Sequence, residues 1–451
     1  MREIDLVDLG ERLVRKALSN GASEAEIYIA EGEHYSIECI KEDVDRISYL
    51  RRMTIGVRVI VGKRIAVQGA TISSIEEGEK LVLSAIKIAK TSPEDPYWKT
   101  LPRKLAKRTV SDIYDDTIDR VDLGELAKDM KSTLSEVKSL DKRLSPIGMD
   151  LTLTKGTRVI VNSYSSTFID KTTLVTFAVG IKARDSGSET SYYDFISRRY
   201  LNEVNIDNVT RDTAYKALMF LKAKKPPTGR YEVLFTNKVF ATFLSAIMVP
   251  AISAYWVQMS RSPLAGKLNE QVLSSELTII DDGTMPKYVA TRSYDDEGVE
   301  TSRKIVFDKG VLVTYLYDTY TALKENREST GNAVRRSLSS MPIPWITNLI
   351  VTPGDAEFSE MTREIKKGIV VYATIGEWLS NPVSGLLNAT ISNGLYVENG
   401  EVKYAVKGAV INADFYEVLR NKVVAIGKDV DNAFNVYSPS ILVRDIQVSG
   451  E

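Results

Sequence analysis

The chain has little of what metal sites and nucleophilic triads are built from. Its 451 residues include one cysteine, Cys39, and one histidine, His34, whereas zinc sites take three or four ligands drawn largely from those two types. This pair alone does not assemble such a site, and a Ser-His-Asp or Cys-His hydrolase would have to use His34. That histidine lies in EGEHYSIECI, where Tyr35, Ile37 and Cys39 alternate with His34, Ser36 and Glu38. Period-2 alternation predicts a buried face carrying an inert, packed thiol and a wetter face carrying the histidine. Glutamine is scarce as well, confined to positions 68, 258, 271 and 447.

Net charge of one sign is missing too. Lys plus Arg number 59 and Asp plus Glu 60, so no overall field selects nucleic acid or an anionic membrane as a partner. The opening MREIDLVDLGERLVRKAL carries charges every few residues and no apolar h-region, which predicts a cytoplasmic protein without a secretory leader. No G-x-S-x-G, G-x-G-x-x-G or Gly-Lys-Ser/Thr run occurs, which removes the hydrolase elbow, the dinucleotide fingerprint and the phosphate loop. Ser-x-x-Lys at 135–138 and 139–142 lies on an amphipathic helix without the companion motifs of that hydrolase class. The acidic clusters Asp281-Asp282, Asp295-Asp296-Glu297 and Asp429-x-Asp431 lack the ligand ladder of a calcium loop and read as turns and solvated faces.

What is present, 43% hydrophobic residues over this length, is enough for two or three packed domains. The pattern predicts an α+β protein: two N-terminal helix-and-sheet domains, at 1–95 and 105–225, then a β-rich domain at 230–451 with one buried helix. The proline-punctuated SPEDPYWKTLP marks the first boundary and Pro226-Pro227 the second. Both N-terminal blocks contain G-x-R-V-I-V, at 56–61 and 156–161, a repeat too short to distinguish duplication from two similar hairpins. In the third block Gly310, Gly354, Gly394 and Gly400 are placed at turns between strands.

The longest uncharged run lies between Lys238 and Arg261 and contains FLSAIMVPAIS. With Thr242, Ser245, Pro250 and Ser253 inside it, this is a poor membrane span. It reads first as a buried structural helix retained for the fold; kinked at Pro250, it needs neighbours that satisfy the carbonyl freed near Ala246, which a subunit or domain interface would provide. Its apolar character predicts a subunit contact and an obligate dimer, hetero or homo, burying more than about 2,000 Å².

Beyond this run, DDEG at 295–298, the G-x-L-x-x-Y-L-x-D spacing from Gly310 to Asp318, STGNA at 329–333 and PGD at 353–355 occur in order. Together with the three-block layout they resemble the TldD/PmbA family, the so-called modulators of DNA gyrase, over nearly the whole chain. In the TldD half of that family the helix opening the third domain carries H-E-x-x-x-H, and a later cysteine completes a zinc site. The resemblance lays Ser245 and Ala246 on the His-Glu pair and Pro250 on the second His, and no cysteine follows Cys39. It therefore implies a TldE/PmbA-type chain with no catalytic or metal-binding residues of its own. Zinc is expected instead in a TldD-type partner, within an assembly that degrades or processes small unfolded peptides. A homo-oligomeric peptide-binding or scaffold protein is the alternative, and a metal-free hydrolase a distant third. Asp295, Glu297, Asp318, Asn332 and Arg335, polar positions inside the matching motifs, are the candidate substrate contacts, with turn and salt-bridge roles as the competing reading.

Overall fold

The computed structural model describes residues 5–451. Helix α1 (Leu6–Ser19) forms where Leu6, Leu9, Leu13, Val14 and Ala17 repeat on one face; Asp5 caps its first amides and Asn20-Gly21 ends it. Strands β1 (Glu24–Ile40), β2 (Asp43–Val61) and β3 (Arg64–Ile72) follow, with the β2–β3 turn at Gly62-Lys63, and then α2 (Ile75–Thr91), capped by Ser74. The second block supplies α3 (Leu123–Leu140), β4 (Leu144–Asn162), β5 (Asp170–Asp185), β6 (Ser188–Arg198) and α4 (Ile206–Met219). Each block brings three strands and two helices. The two triplets meet through β1 and β4 in one six-stranded antiparallel sheet of order β3-β2-β1-β4-β5-β6.

The third block is a β-rich domain around a closed ring of strands. β7 (Gly229–Phe235) pairs with Lys367–Ile375 on one side and Ile441–Ser449 on the other. Through Ala409–Asp414 and Leu386–Glu398 the pairing returns to Lys367–Ile375 and closes the barrel, which leaves the ring without an edge. A second sheet of short strands stands beside it.

Gly310 and Gly400 take positive φ at turns, as expected, but Gly394 lies inside the strand Leu386–Glu398, opposite Val371 and Val406. The reason there is space: a Cβ would come to 3.0 Å from both the Val370 carbonyl and Ile391, a close approach that glycine permits in mid-strand.

Candidate functional site

The uncharged run between Lys238 and Arg261 forms a helix broken twice. α5 (Asn237–Phe243) leads into a wide π turn, Leu244–Met248, where Val249 N–H donates five residues back to Leu244 O. This widening places the missing donor of Pro250 where the hydrogen-bond register is already shifted. Ile252 N–H then returns to Met248 O at 3.0 Å, Ser253 is extended, and Ala254–Gln258 resumes the helix. Leu316 staples the break, receiving Ala254 N–H and donating to Ile252 O, both at 2.9 Å, while Ser253 Oγ donates to Pro344 O at 2.8 Å.

Val239, Phe240, Phe243, Leu244, Ile247 and Met248 are all buried in the core of the chain's own β-rich domain. The helix is thus covered within the chain, which corrects the expectation that its apolar run is itself a subunit contact. Thr242, Ser245, Ala246 and Pro250 are only half-buried and share the opposite, partly open face. The three positions aligned with a zinc-binding motif therefore do cluster. Between them they offer one hydroxyl and neither an imidazole nor a carboxylate, a donor set that does not fit zinc. Among the described residues no group of three or more His, Cys, Asp or Glu side chains is spaced to hold a metal ion. His34 is exposed, its Nδ1 3.2 Å from Thr154 Oγ1. Cys39 is buried in the other core, and burial, then the Asp150 charge, push its thiol up to about 11.

The five candidate polar residues lie buried at the junction between the N-terminal sheet and the β-rich domain. Asp295 accepts the amides of Glu297, Val299 and Ala333 at 2.9–3.0 Å, which folds the DDEG loop. Glu297 receives Arg58 Nη1 at 2.8 Å and Thr319 N–H at 2.8 Å. Asp318 caps the following helix, accepting Thr321 N–H at 2.8 Å; burial, then the neighbouring Glu297 charge, push its carboxyl up to about 7. Arg335 pairs with Glu26 of β1, and its N–H donates to Asp296 at 2.8 Å. Asn332 turns away, its amide donating to Asp281 and to the Trp345 carbonyl. Asp295, Glu297, Asp318 and Arg335 thus join one network, and Asn332 belongs to a neighbouring one.

Sequence reasoning missed the other half of that network. Arg58 and Arg158, the arginines of the two G-x-R-V-I-V runs, both reach into the DDEG loop: Arg58 to Glu297 at 2.8 Å and Arg158 to Asp296 at 3.1 Å. Arg58 also holds Glu26 at 2.5 Å and Arg158 holds Asp170 at 3.2 Å. The repeat was the available signal, because a paired Arg in two strands facing one acidic loop is a docking clamp. Leu338 lies so close on β3 that a Cβ at Gly69 would sit 2.2 Å from its side chain.

A sheet domain clamped by arginines onto a closed-barrel domain with a broken helix defines an α+β protein. Residues 228–450 match the PmbA/TldA metallopeptidase C-terminal domain and residues 25–89 match the PmbA/TldA metallopeptidase domain 1, together more than half of the chain. The chain belongs to the TldD/PmbA family. It is 27% identical to a metalloprotease of Methanocaldococcus jannaschii over 90% of each chain. It is 25% identical to the metalloprotease PmbA of Escherichia coli O157:H7, covering 100% of this chain and 99% of that one. Its fold matches the crystal structure of TldE from Thermococcus kodakarensis with a TM-score of 0.90 at 21% identity, over 98% of this chain and 100% of that one.

Proposed function

We propose that this chain is the TldE/PmbA-type subunit of a metalloprotease assembly that processes small unfolded peptides, with zinc held by a TldD-type partner. What supports the reading is the partly open helix face that carries Ser245, Ala246 and Pro250, the positions the family resemblance lays on metal ligands and a general base. A second observation supports an assembly. Among the described residues, the segment 375–386 exposes Trp378 at 71% and Leu379 at 67%, flanked by exposed Ile375, Val383 and Leu386. Contiguous exposed apolar side chains of this size mark interaction surfaces, and this one takes over the role first assigned to the buried helix. No described helix is long and apolar enough to cross a membrane.

The test is to incubate the purified chain with an unstructured peptide, alone and with a zinc-loaded TldD-type protein carrying H-E-x-x-x-H. The expected result is no cleavage by this chain alone and chelator-sensitive cleavage by the mixture that exceeds that of the partner alone. Chelator-sensitive cleavage by this chain alone, or one tightly held zinc per chain after dialysis, would overturn the reading. Light scattering in the same samples distinguishes a mixed assembly from a self-dimer, the form a scaffold protein would take.

A further inference from the structure

Between β3, the resumed helix Ala254–Gln258 and the segment 336–343 lies a cleft of about 770 Å³. Its walls include Tyr255, Trp256 and Tyr320, and two acids, Asp95 and Asp318, reach it. The acids are not equivalent. Asp95 is engaged at both oxygens, by Tyr97 N–H and by the Tyr320 hydroxyl, each at 2.8 Å. Asp318 is 1% exposed, and only its Oδ1 is held, by the amide and hydroxyl of Thr321. Among the described residues no donor reaches its Oδ2 and no Lys or Arg pairs with it. A buried carboxylate without a counter-ion is costly to keep charged.

Its surroundings increase that cost. Glu26, Glu297, Asp295 and Asp318 are buried carboxylates, and the ion pairs of Arg58 and Arg335 go to Glu26 and Glu297, not to Asp318. Arg336 lines the cleft but stacks over Trp345 at 4.9 Å. Trp256 lines the cleft with its ring, while its Nε1 is buried with no acceptor. Aromatic rings attract organic cations through their faces, and Tyr320 already carries the Lys324 ammonium at 5.5 Å. A calcium-like ion would want six or more oxygen ligands, which two carboxylates among aromatic rings do not provide.

We propose that this cleft binds a primary ammonium group of an extended peptide, with Asp318 as counter-ion and Tyr255, Trp256 and Tyr320 as aromatic walls. The peptide as source rests on the function proposed above; the ammonium site itself rests on the cleft. Either a lysine side chain or an amino terminus supplies this chemistry.

The experiment uses the full chain without a partner and follows the Trp256 indole N–H resonance, assigned with Trp256→Phe. The probes are Nα-acetyl-lysine amide for the side-chain source, glycinamide for the amino terminus, and Nα-acetyl-norleucine amide as an uncharged analogue of the first that keeps its four-carbon stem and lacks the ammonium. Saturable movement of that resonance with either amine, and none with the norleucine compound, is the expected result, and the responding amine identifies the source. Asp318→Asn is expected to weaken that amine at least about tenfold, as loss of a buried charge partner does. Equal response to the norleucine compound, or no response to either amine in the wild-type chain, overturns the proposal whether or not Asp318→Asn folds. Because no partner or cleavage is involved, such a failure leaves the assembly reading standing, and failure of the assembly reading leaves the ammonium site standing.

Discussion

Arg58 shows how far one side chain's role depends on its depth. Its side chain is 1% exposed between Glu26 and Glu297, so removing it leaves buried Glu297 without its cation and Glu26 with Arg335 alone. Arg58→Ala is expected to destabilise the chain by about 3–5 kcal/mol in urea unfolding, the usual cost of breaking a buried pair from one side. Arg46→Ala, which breaks the exposed pair with Glu38, is expected to cost about 1 kcal/mol or less. Similar values for the two variants would remove the clamp from the account. Asp318 makes a pH prediction at the same scale. With its carboxyl pushed up to about 7 by burial and Glu297, the folded chain holds a proton that the unfolded chain releases near its ordinary value of about 3.9. Asp318 therefore contributes stability that is present below about pH 4 and is lost as pH rises through about 7. Comparing Tm across that window, Asp318→Asn is expected to show a shallower fall with pH than the wild-type chain; parallel curves would contradict it.

At the scale of the element, the broken helix brings together three positions that carry no metal-ligating side chain. The π turn and the Ser253 break position Ser245, Ala246 and Pro250 on one face through backbone geometry alone. The combined variant Ser245→His, Ala246→Glu, Pro250→His is nevertheless expected to cleave no peptide by itself. Its two imidazoles would still lack a third ligand and the hydrogen bonds that orient them. The only thiol, Cys39, packs in a different core from the helix. Chelator-sensitive cleavage by that variant alone is the outcome that would contradict this.

At the scale of the whole molecule, the apolar surface left over after folding decides what the chain associates with. The helix that looked like an interface is covered by its own domain, whereas the segment 375–386 carries a run of exposed apolar side chains that includes Trp378 and Leu379. Trp378→Asp combined with Leu379→Asp is expected to abolish assembly, seen as a monomer by light scattering, while Tm changes little because both side chains are already in water. Unchanged assembly by the double variant would move the interface elsewhere.

The sequence by itself determined the local elements and the family. Helical spacing in α1, the Ser74 cap, the Gly62-Lys63 turn and the ordered motifs of the third block are short-range signals, set by propensity, capping and turn geometry. Tertiary structure decided three other matters. It closed the barrel, which needs pairing between strands as distant as β7 and Ile441–Ser449. It turned Asp295, Glu297, Asp318 and Arg335 from loop residues into one buried network by bringing β1, β2 and β4 against the DDEG loop. It also placed Gly394 in mid-strand. Burial, counter-ions and close backbone approach depend on residues hundreds of positions apart meeting in space, and a linear pattern records the residue types without recording which of them meet.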